Sequence, residues 1–252
     1  MKKTIGIVAA LPGEARTLAG HPCRQKANGF LNCRTVLKDE THLMVVQSGM
    51  GMKNAFSAAL WLSEKGVAAL GCFGVSGGLN PLLKTGDVLF ADVVLGEQHD
   101  DVSLVWKKDG GHSDEPFKCI ATKGLPVQWG PIISVQKPVL DAAGKRALFD
   151  RTKALAVDME TAAVARAANK SGLPFFAVRI ICDPVNVSVP ETLFQCVDEK
   201  GNPRFFYLLN RIIQKPSLII HLLSMKRNFD TALASAAHVR HCLAEMHISS
   251  AP

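Results

Sequence analysis

Aromatic side chains are scarce in this chain: they make up 6% of 252 residues, with a single tyrosine. The basic residues are scattered and no nucleic-acid module is visible, so the net charge of +7 does not imply a nucleic-acid partner. That balance, with a pI near 9.1, suits an anionic substrate or surface instead. Long apolar runs are also missing. The longest late one, Leu218 to Leu223, is broken by His221 and is far too short to span a bilayer. The seven cysteines are odd in number and widely spaced, with no CxxC pair. This argues against a disulfide framework or a zinc site and for reduced thiols in a cytoplasm. The eight histidines form no HExxH cluster, and neither GxGxxG nor a P-loop occurs. No metal and no cofactor are therefore expected.

With 48% apolar and 20% charged residues, the chain has the composition of a folded protein able to bury one large core. Met1-Lys2-Lys3 followed by Thr4 to Leu11 faintly mimics a signal peptide, but Pro12-Gly13-Glu14 follows at once, and a first buried strand is the better reading. A helix then starts near Glu14. Phe30 to Leu37 and His42 to Gln47 read as paired strands with Asp39-Glu40 in the turn. Gly49-Met50-Gly51 leads into a helix over Met52 to Glu64 that stops at Gly66. Val67 to Val75 and Asp87 to Val94 read as strands, and residues 98 to 128 as a long excursion. Ile132 to Val135 resumes the core, Pro138 to Phe149 is helical, and Asp158 to Lys170 is a helix feeding a strand over Phe175 to Ile181. This alternation predicts an α/β fold, a three-layer sandwich around a mixed, mostly parallel twisted sheet. After Pro184 the texture changes: 185 to 203 is loop-like, and 204 to 246 is a helical C-terminal extension broken at Pro216. The extension holds six Lys or Arg against two acids.

Chemistry concentrates at the ends of the predicted strands, where open α/β sheets bind ligands. Asp183 terminates a buried strand. Desolvation there would let it hold a proton for donation; alternatively it caps the turn at Pro184. Glu160 falls in the first turn of a helix, where the macrodipole alone would favour a carboxylate. Asp158 fits an N-cap. Glu14 faces the crevice or stands exposed at its helix start. Gly49-Met50-Gly51 and Gly74-Val75-Ser76-Gly77-Gly78 read as glycine-rich turns that let backbone amides approach an anion or a nucleobase. Met50, Met52 and Met159 line a pocket or pack in the core.

In order along the chain, Ile5-Gly6-Ile7-Val8-Ala9-Ala10 with Glu14, Ser48 to Ala55, Gly74 to Leu79 with Thr85-Gly86-Asp87, Val157-Asp158-Met159-Glu160, and Val178 to Asp183 resemble the purine nucleoside and uridine phosphorylase superfamily. Within it the resemblance is to the methylthioadenosine/adenosylhomocysteine nucleosidases. It implies cleavage of a purine ribosyl N-glycosidic bond by a catalytic domain over residues 1 to 202, with 203 to 252 as a basic helical extension of the same domain. By the same resemblance Asp183 would protonate the leaving purine, and Glu160 would hold the ribose 2′-hydroxyl with Met159 under the sugar. Glu14 would orient or deprotonate the attacking water near Ser76. Gly77, Val75, Met50 and Val139 would complete the substrate contacts, Val139 by presenting backbone to adenine.

Pro138 stands where those nucleosidases place a base-stacking Phe, and Val75 replaces a small polar residue. The phosphate-holding arginines of the phosphorylases are not matched here, a phosphate site built from Lys53 or another arginine being the alternative, and the Asn54-Ala55 turn is closer to the hydrolases. Water is therefore the favoured nucleophile, with phosphate as co-substrate in the alternative and a non-catalytic purine sensor as the rival of another class. The basic tail resembles the hopanoid-associated phosphorylase-like subgroup, which implies adenosylhopane, a 5′-substituted adenosine, as a candidate substrate. A cytoplasmic enzyme touching the inner face of the membrane through 204 to 246 follows from that reading. The other reading of the tail is packing on the core or a homo-oligomer interface, and homo-oligomers are the habit of the family.

Overall fold

The computed structural model describes residues 4–37, 42–98, 101–108, 115–195, 198, 210–211, 213–216 and 218–243. The signal-like start Met1-Lys2-Lys3, the Asp39-Glu40 turn, the run 199–203 and the tail residues 204–209 and 244–246 lie outside the described residues. The chain runs β1 (Thr4–Ala9), α1 (Pro12–Ala19), β2 (Gln25–Ala27), β3 (Phe30–Val36), β4 (His42–Gln47), α2 (Met52–Glu64) and β5 (Ala69–Gly78). It continues with β6 (Val88–Gln98), β7 (Asp101–Lys107), α3 (Glu115–Thr122), β8 (Val127–Ser134), α4 (Ala142–Thr152) and β9 (Ala156–Asp158). The last elements are α5 (Thr161–Ser171), β10 (Phe175–Asp183), a single turn α6 (Glu191–Phe194) and the long α7 (Leu218–Leu243).

The continuous apolar runs of β1, β5 and β10 are buried on both faces, as parallel strands under two helical layers must be. β1 lies parallel between β4 and β5, and β5 pairs parallel with β10. β10 also pairs antiparallel with β6; β6 pairs with β8, β8 with β9, and β9 returns to β5. These five strands therefore close on themselves, and β1, β4, β3 and β2 extend from β5 as an open wing. One face is covered by α2 and α5, whose alanines pack on Leu70, Leu89 and Ile132. The other is covered by α1, α3 and α7, where Leu18, Val239 and Leu243 join Phe73 and Val178. The expected three-layer architecture is observed.

Four local readings are corrected. Residues 98 to 128 are not an excursion: β7 pairs antiparallel with β6, and α3 packs against α7. β7 is an edge strand whose exposed positions, Asp101, Ser103, Leu104 and Lys107, do not alternate strictly with the half-buried ones, so its period is weak in the sequence. The helix expected from Pro138 starts at Ala142, because Asp141 is the N-cap and its side chain accepts from Gly144 N at 2.8 Å. The glycine stretch Gly74–Gly78 is not a turn but the last half of β5. The expectation of reduced thiols fails at four cysteines: Cys23 is disulfide-bonded to Cys33, and Cys119 to Cys242. The second bond joins α3 to α7 over 123 residues of sequence, a neighbourhood that spacing does not announce. Cys72 and Cys182 are free.

α7 begins after the expected break at Pro216 and packs on β10, α1 and α3. Through α1 it bears on the helix that carries Glu14. Leu18, fully enclosed between those layers, tests this contact. Leu18→Ala should lower unfolding free energy by about 2–5 kcal/mol, read from denaturant melts; a loss under about 1 kcal/mol would mean that the α1–α7 seam is loosely packed.

Candidate active site

Three carboxylates come from three separate elements. The chain leaves β1 through Leu11 and enters α1 at Pro12, placing Glu14 on the third helical residue. Glu14 is 2% exposed. Its Oε2 accepts from Leu11 N at 2.8 Å, and its Oε1 accepts from Val75 N at 2.8 Å, tying α1 to β5. Burial pushes the Glu14 carboxyl above the usual range, while Arg179 and the amides of Leu11, Val75 and Ala10 pull against it.

Glu160 does not lie in the first turn of α5 but is its N-cap residue, with φ −132° and ψ −37° and no capping bond from its side chain. The capping comes from Asp158, which is the last residue of β9 rather than the N-cap. Its Oδ1 accepts from Glu160 N at 3.1 Å and from Thr161 N at 3.2 Å. Released from that task, Glu160 reaches back to α2, where Oε1 accepts from Gly51 N at 2.8 Å. Gly51 holds φ +95°, which a side-chain-bearing residue rarely adopts. The expected anion site at Gly49-Met50-Gly51 is thus occupied by a carboxylate of the protein itself. Burial pushes the Glu160 carboxyl up to about 7, with Arg179 and the Gly51 amide opposing.

Arg179 links these groups, and although the sequence reading quoted it in a motif, it gave it no role. It lies in β10, 1% exposed. Its Nε stands 2.7 Å from Asp158 Oδ2 and donates to Thr161 Oγ1 at 3.0 Å. Nη2 donates to Cys72 Sγ at 3.1 Å and lies 3.7 Å from Glu160 Oε2. A Cβ on Gly74 would stand 2.5 Å from Glu14 Oε1 and 2.7 Å from Arg179 Nη1. Glycine at that position is what lets a carboxylate and a guanidinium meet over the strand. A lone cation inside the apolar run Phe175 to Ile181 is the signal that could have found Arg179, since buried arginine requires a partner.

Asp183 ends β10 opposite Gly77 of β5. Burial raises its carboxyl, and Lys145 of α4, 2.6 Å from Oδ2, opposes that rise. Lys145 was missed altogether: among the charges of α4 nothing in the sequence marks it as buried. Of the other expected residues, Val75 supplies the amide that holds Glu14. Ser76 is 5% exposed, and its Oγ is buried with no hydrogen-bond partner among the described residues. Met50 and Met159 are half-buried beside Gly51 and Glu160, while Met52 packs into the core against the α2–α5 layer. Val139 borders a cavity of about 380 Å³ with Val135, Gly144, Leu148, Glu97 and Arg151. Among the described residues no group of three His, Cys, Asp or Glu could hold a metal.

The arrangement gathers an acid at a strand tip, two buried carboxylates around one guanidinium and an unpartnered hydroxyl, at the carboxyl ends of β1, β4, β5 and β10. The chain matches the phosphorylase superfamily over residues 4–214. In overall structure it is similar to the native futalosine hydrolase of Helicobacter pylori, with a TM-score of 0.72 at 19% identity over 96% of this chain and 98% of that one. It is equally similar to the 5′-methylthioadenosine/S-adenosylhomocysteine nucleosidase of Helicobacter pylori bound to butyl-thio-DADMe-Immucillin-A, at TM-score 0.72, 20% identity, and coverage of 97% and 99%. The S-adenosylhomocysteine nucleosidase of Streptococcus pyogenes in complex with 5-methylthiotubericidin gives TM-score 0.71 at 19% identity, covering 98% of each chain. At these identities the likeness shows a shared fold.

The raised carboxyl of Glu160 has a measurable consequence. Between its ordinary value of 4.5 and about 7 the folded chain retains a proton that the unfolded chain has released. The stability owed to this group is therefore full at low pH and lost as pH rises through that window. Glu160→Gln has no such proton, so its stability relative to the parent protein should climb from pH 4.5 to about 7 and then level off. Denaturant melts of both proteins across the window check this; a pH-independent difference would contradict a proton-holding Glu160.

Proposed function

Because the chain belongs to the phosphorylase superfamily, and is thereby an enzyme of N-glycosyl bond cleavage, we propose that it hydrolyses the N-glycosidic bond of a purine nucleoside, a 5′-substituted adenosine. The observation that carries this reading is the placement of Glu14, Glu160 and Asp183 at one end of the sheet, each in a different electrostatic environment. In the proposed reaction Asp183 gives its proton to N7 of the purine as the C1′–N9 bond breaks, its electron pair passing into the base. Positive charge builds on the ribose ring, and Glu160 faces it while accepting from the 2′-hydroxyl. Water adds to C1′, delivering its proton to Glu14. A carboxyl raised by burial toward neutrality is a better base for that step than an exposed one. Ser76, whose hydroxyl has no partner among the described residues, is available to the sugar or the water, and Met159 to the sugar face. Gly77, Val75 and Met50 border the same space.

The similar structures support a nucleoside substrate, since two of those described carry nucleoside analogues. Hydrolysis is favoured over phosphorolysis because Arg179, the cation acting on Glu14 among the described residues, is held in ion pairs with Asp158 and Glu160. That cation is thus already engaged by protein carboxylates. No cofactor is needed for these steps, and assembly as a homo-oligomer belongs to the same reading.

The test is release of free base from adenosine, inosine, uridine and 5′-alkylated adenosines, with and without phosphate. Adenine should appear without phosphate, and faster from substrates with an apolar 5′ group. Asp183→Asn should lower kcat/KM by about 10²–10⁴-fold, and should lower the melting temperature as well, because it leaves the buried ammonium of Lys145 without its charged partner. Release that depends on phosphate would make the protein a phosphorylase, and no release at all would favour a purine-binding sensor.

A second element of the proposal concerns the tail. Ile213, Ile220 and Leu223 are exposed, and Lys215, Lys226 and Arg227 stand exposed near them. An apolar and basic surface of this kind fits the headgroup region of an anionic membrane, where a lipid-linked nucleoside such as adenosylhopane would be met. Co-sedimentation with anionic but not neutral vesicles is expected, reduced by Ile220→Ser with Leu223→Ser; binding that ignores these residues would leave the surface to an oligomer contact.

A further inference from the structure

The largest unexplained cost in the site is a buried ammonium. Lys145 projects from α4 with a side chain that is 0% exposed. Its Nζ donates to Asp183 Oδ2 at 2.6 Å, Val187 O at 2.8 Å, Asp183 O at 3.1 Å and Pro184 O at 3.3 Å. An ammonium has three protons, so these four oxygens saturate it. Taking a cation out of water is costly unless it is paired, and the one charged acceptor here is Asp183. The three carbonyls staple the 183–187 turn, and the carboxyl supplies the countercharge that they cannot. That countercharge is also the acid of the proposed reaction.

We propose that Lys145 is a positioning residue for the proton that Asp183 transfers, holding Oδ2 so that the mobile proton sits on Oδ1 and stabilising the carboxylate left behind. The inference rests on the glycosidic cleavage proposed above. In that step the Oδ1–H bond breaks, an N7–H bond forms, and Asp183 passes from neutral to anionic while Lys145 stays cationic. A neutral acid gains little from the ammonium and the product anion gains much. Lys145 thus makes Asp183 a stronger acid than burial alone would allow. The geometry fits this polarity. The Asp183 side chain retains 25% exposure although Lys145 has none, so the open side of the carboxyl is not the side that the ammonium fills. Oδ2 also lies on the side facing β5, where a Cβ on Gly77 would stand 3.3 Å from it. The ionisable groups around Asp183 are Lys145 from α4, the Cys182 thiol beside it on β10 and, across that thiol, Glu14 of α1. The thiol is pushed up to about 12 by burial and stays uncharged at working pH, which leaves Lys145 as the adjacent cation.

The test is the pH profile of kcat/KM for adenine release by the parent enzyme, Asp183→Asn and Lys145→Met. Without the ammonium, Asp183 holds its proton more tightly, so the alkaline limb of the profile should move to higher pH. The plateau should fall about 10-fold or more, part of the 10²–10⁴-fold that a positioned general acid contributes. Hydrolysis of 4-nitrophenyl riboside, whose leaving group departs without protonation, should suffer less than adenine release. Lys145→Gln, which can still donate to the carbonyls of Pro184 and Val187, carries the same expectations should the Met variant fail to fold. An alkaline limb that stays in place in a folded variant overturns the proposal, because a merely structural lysine lowers the rate without moving that limb. If the parent enzyme releases no base, or Asp183→Asn is unimpaired, it is the proposed reaction that fails; with both intact and the limb unmoved, only the role of Lys145 fails.

Discussion

The guanidinium of Arg179 is the constraint on which the rest of the site depends. A cation 1% exposed in the middle of a mixed sheet is tolerated only if every direction offers a partner. The chain supplies them from three places: Asp158 and Thr161 around the start of α5, Cys72 on β5, and Glu160 at the α5 N-cap. The pairing is unequal. Asp158 meets Nε at 2.7 Å, whereas Glu160 stays 3.7 Å from Nη2. The closest pairing with the positive charge is therefore made by Asp158, which has no part in the proposed reaction. Glu160 and Glu14 receive the remainder, and for both of them desolvation outweighs it.

Asp158 is held in turn. Ser134 on β8 donates to its Oδ1 at 2.5 Å and accepts from Ala162 N at 2.8 Å, while Thr161 Oγ1 donates to Oδ2. Strand β8, strand β9 and the first turn of α5 thus lock together around one carboxylate, and the N-cap side chain is left out of the lock. That is how a helix start can offer Glu160 to the amide of Gly51, 109 residues earlier in the chain, instead of using it for its own cap. A network in which each polar atom is satisfied fixes geometry far better than an exposed ion pair would.

Much of this was legible in the sequence, and the failures share a physical form. The strands β1, β5 and β10 were visible as apolar runs, and Glu14, Glu160 and Asp183 were visible because each follows such a run or opens a helix. α2 was placed at Met52–Glu64, bounded by glycine at both ends. Information carried by contact between distant segments was not legible. The glycines of β5 looked like a turn because glycine is the common turn residue; in the fold they make room for side chains of α1 and β10. The Cys119–Cys242 bond depends on α3 meeting α7. Lys145 is one of several charges on α4, and only the turn after β10, folding under that helix, turns it inward.

The three carboxyls share one tendency and differ in what restrains it. Burial raises each of them, but the opposing influence is the shared arginine with the amides of Leu11, Val75 and Ala10 for Glu14, the same arginine with the Gly51 amide for Glu160, and a dedicated lysine for Asp183. A single burial-raised carboxyl can only hold a proton; two kept apart by different partners can pass protons in opposite directions within one turnover. The separation is written in secondary structure. Glu14 is fixed by amides of the α1 start and β5, which favour its anion and suit a proton acceptor. Asp183 sits beside a cation that matters only after its proton has gone, which suits a donor. Reversing those partners would leave the same residues in the same cleft with the wrong protonation states, so it is the partners, more than the carboxylates, that specify the chemistry.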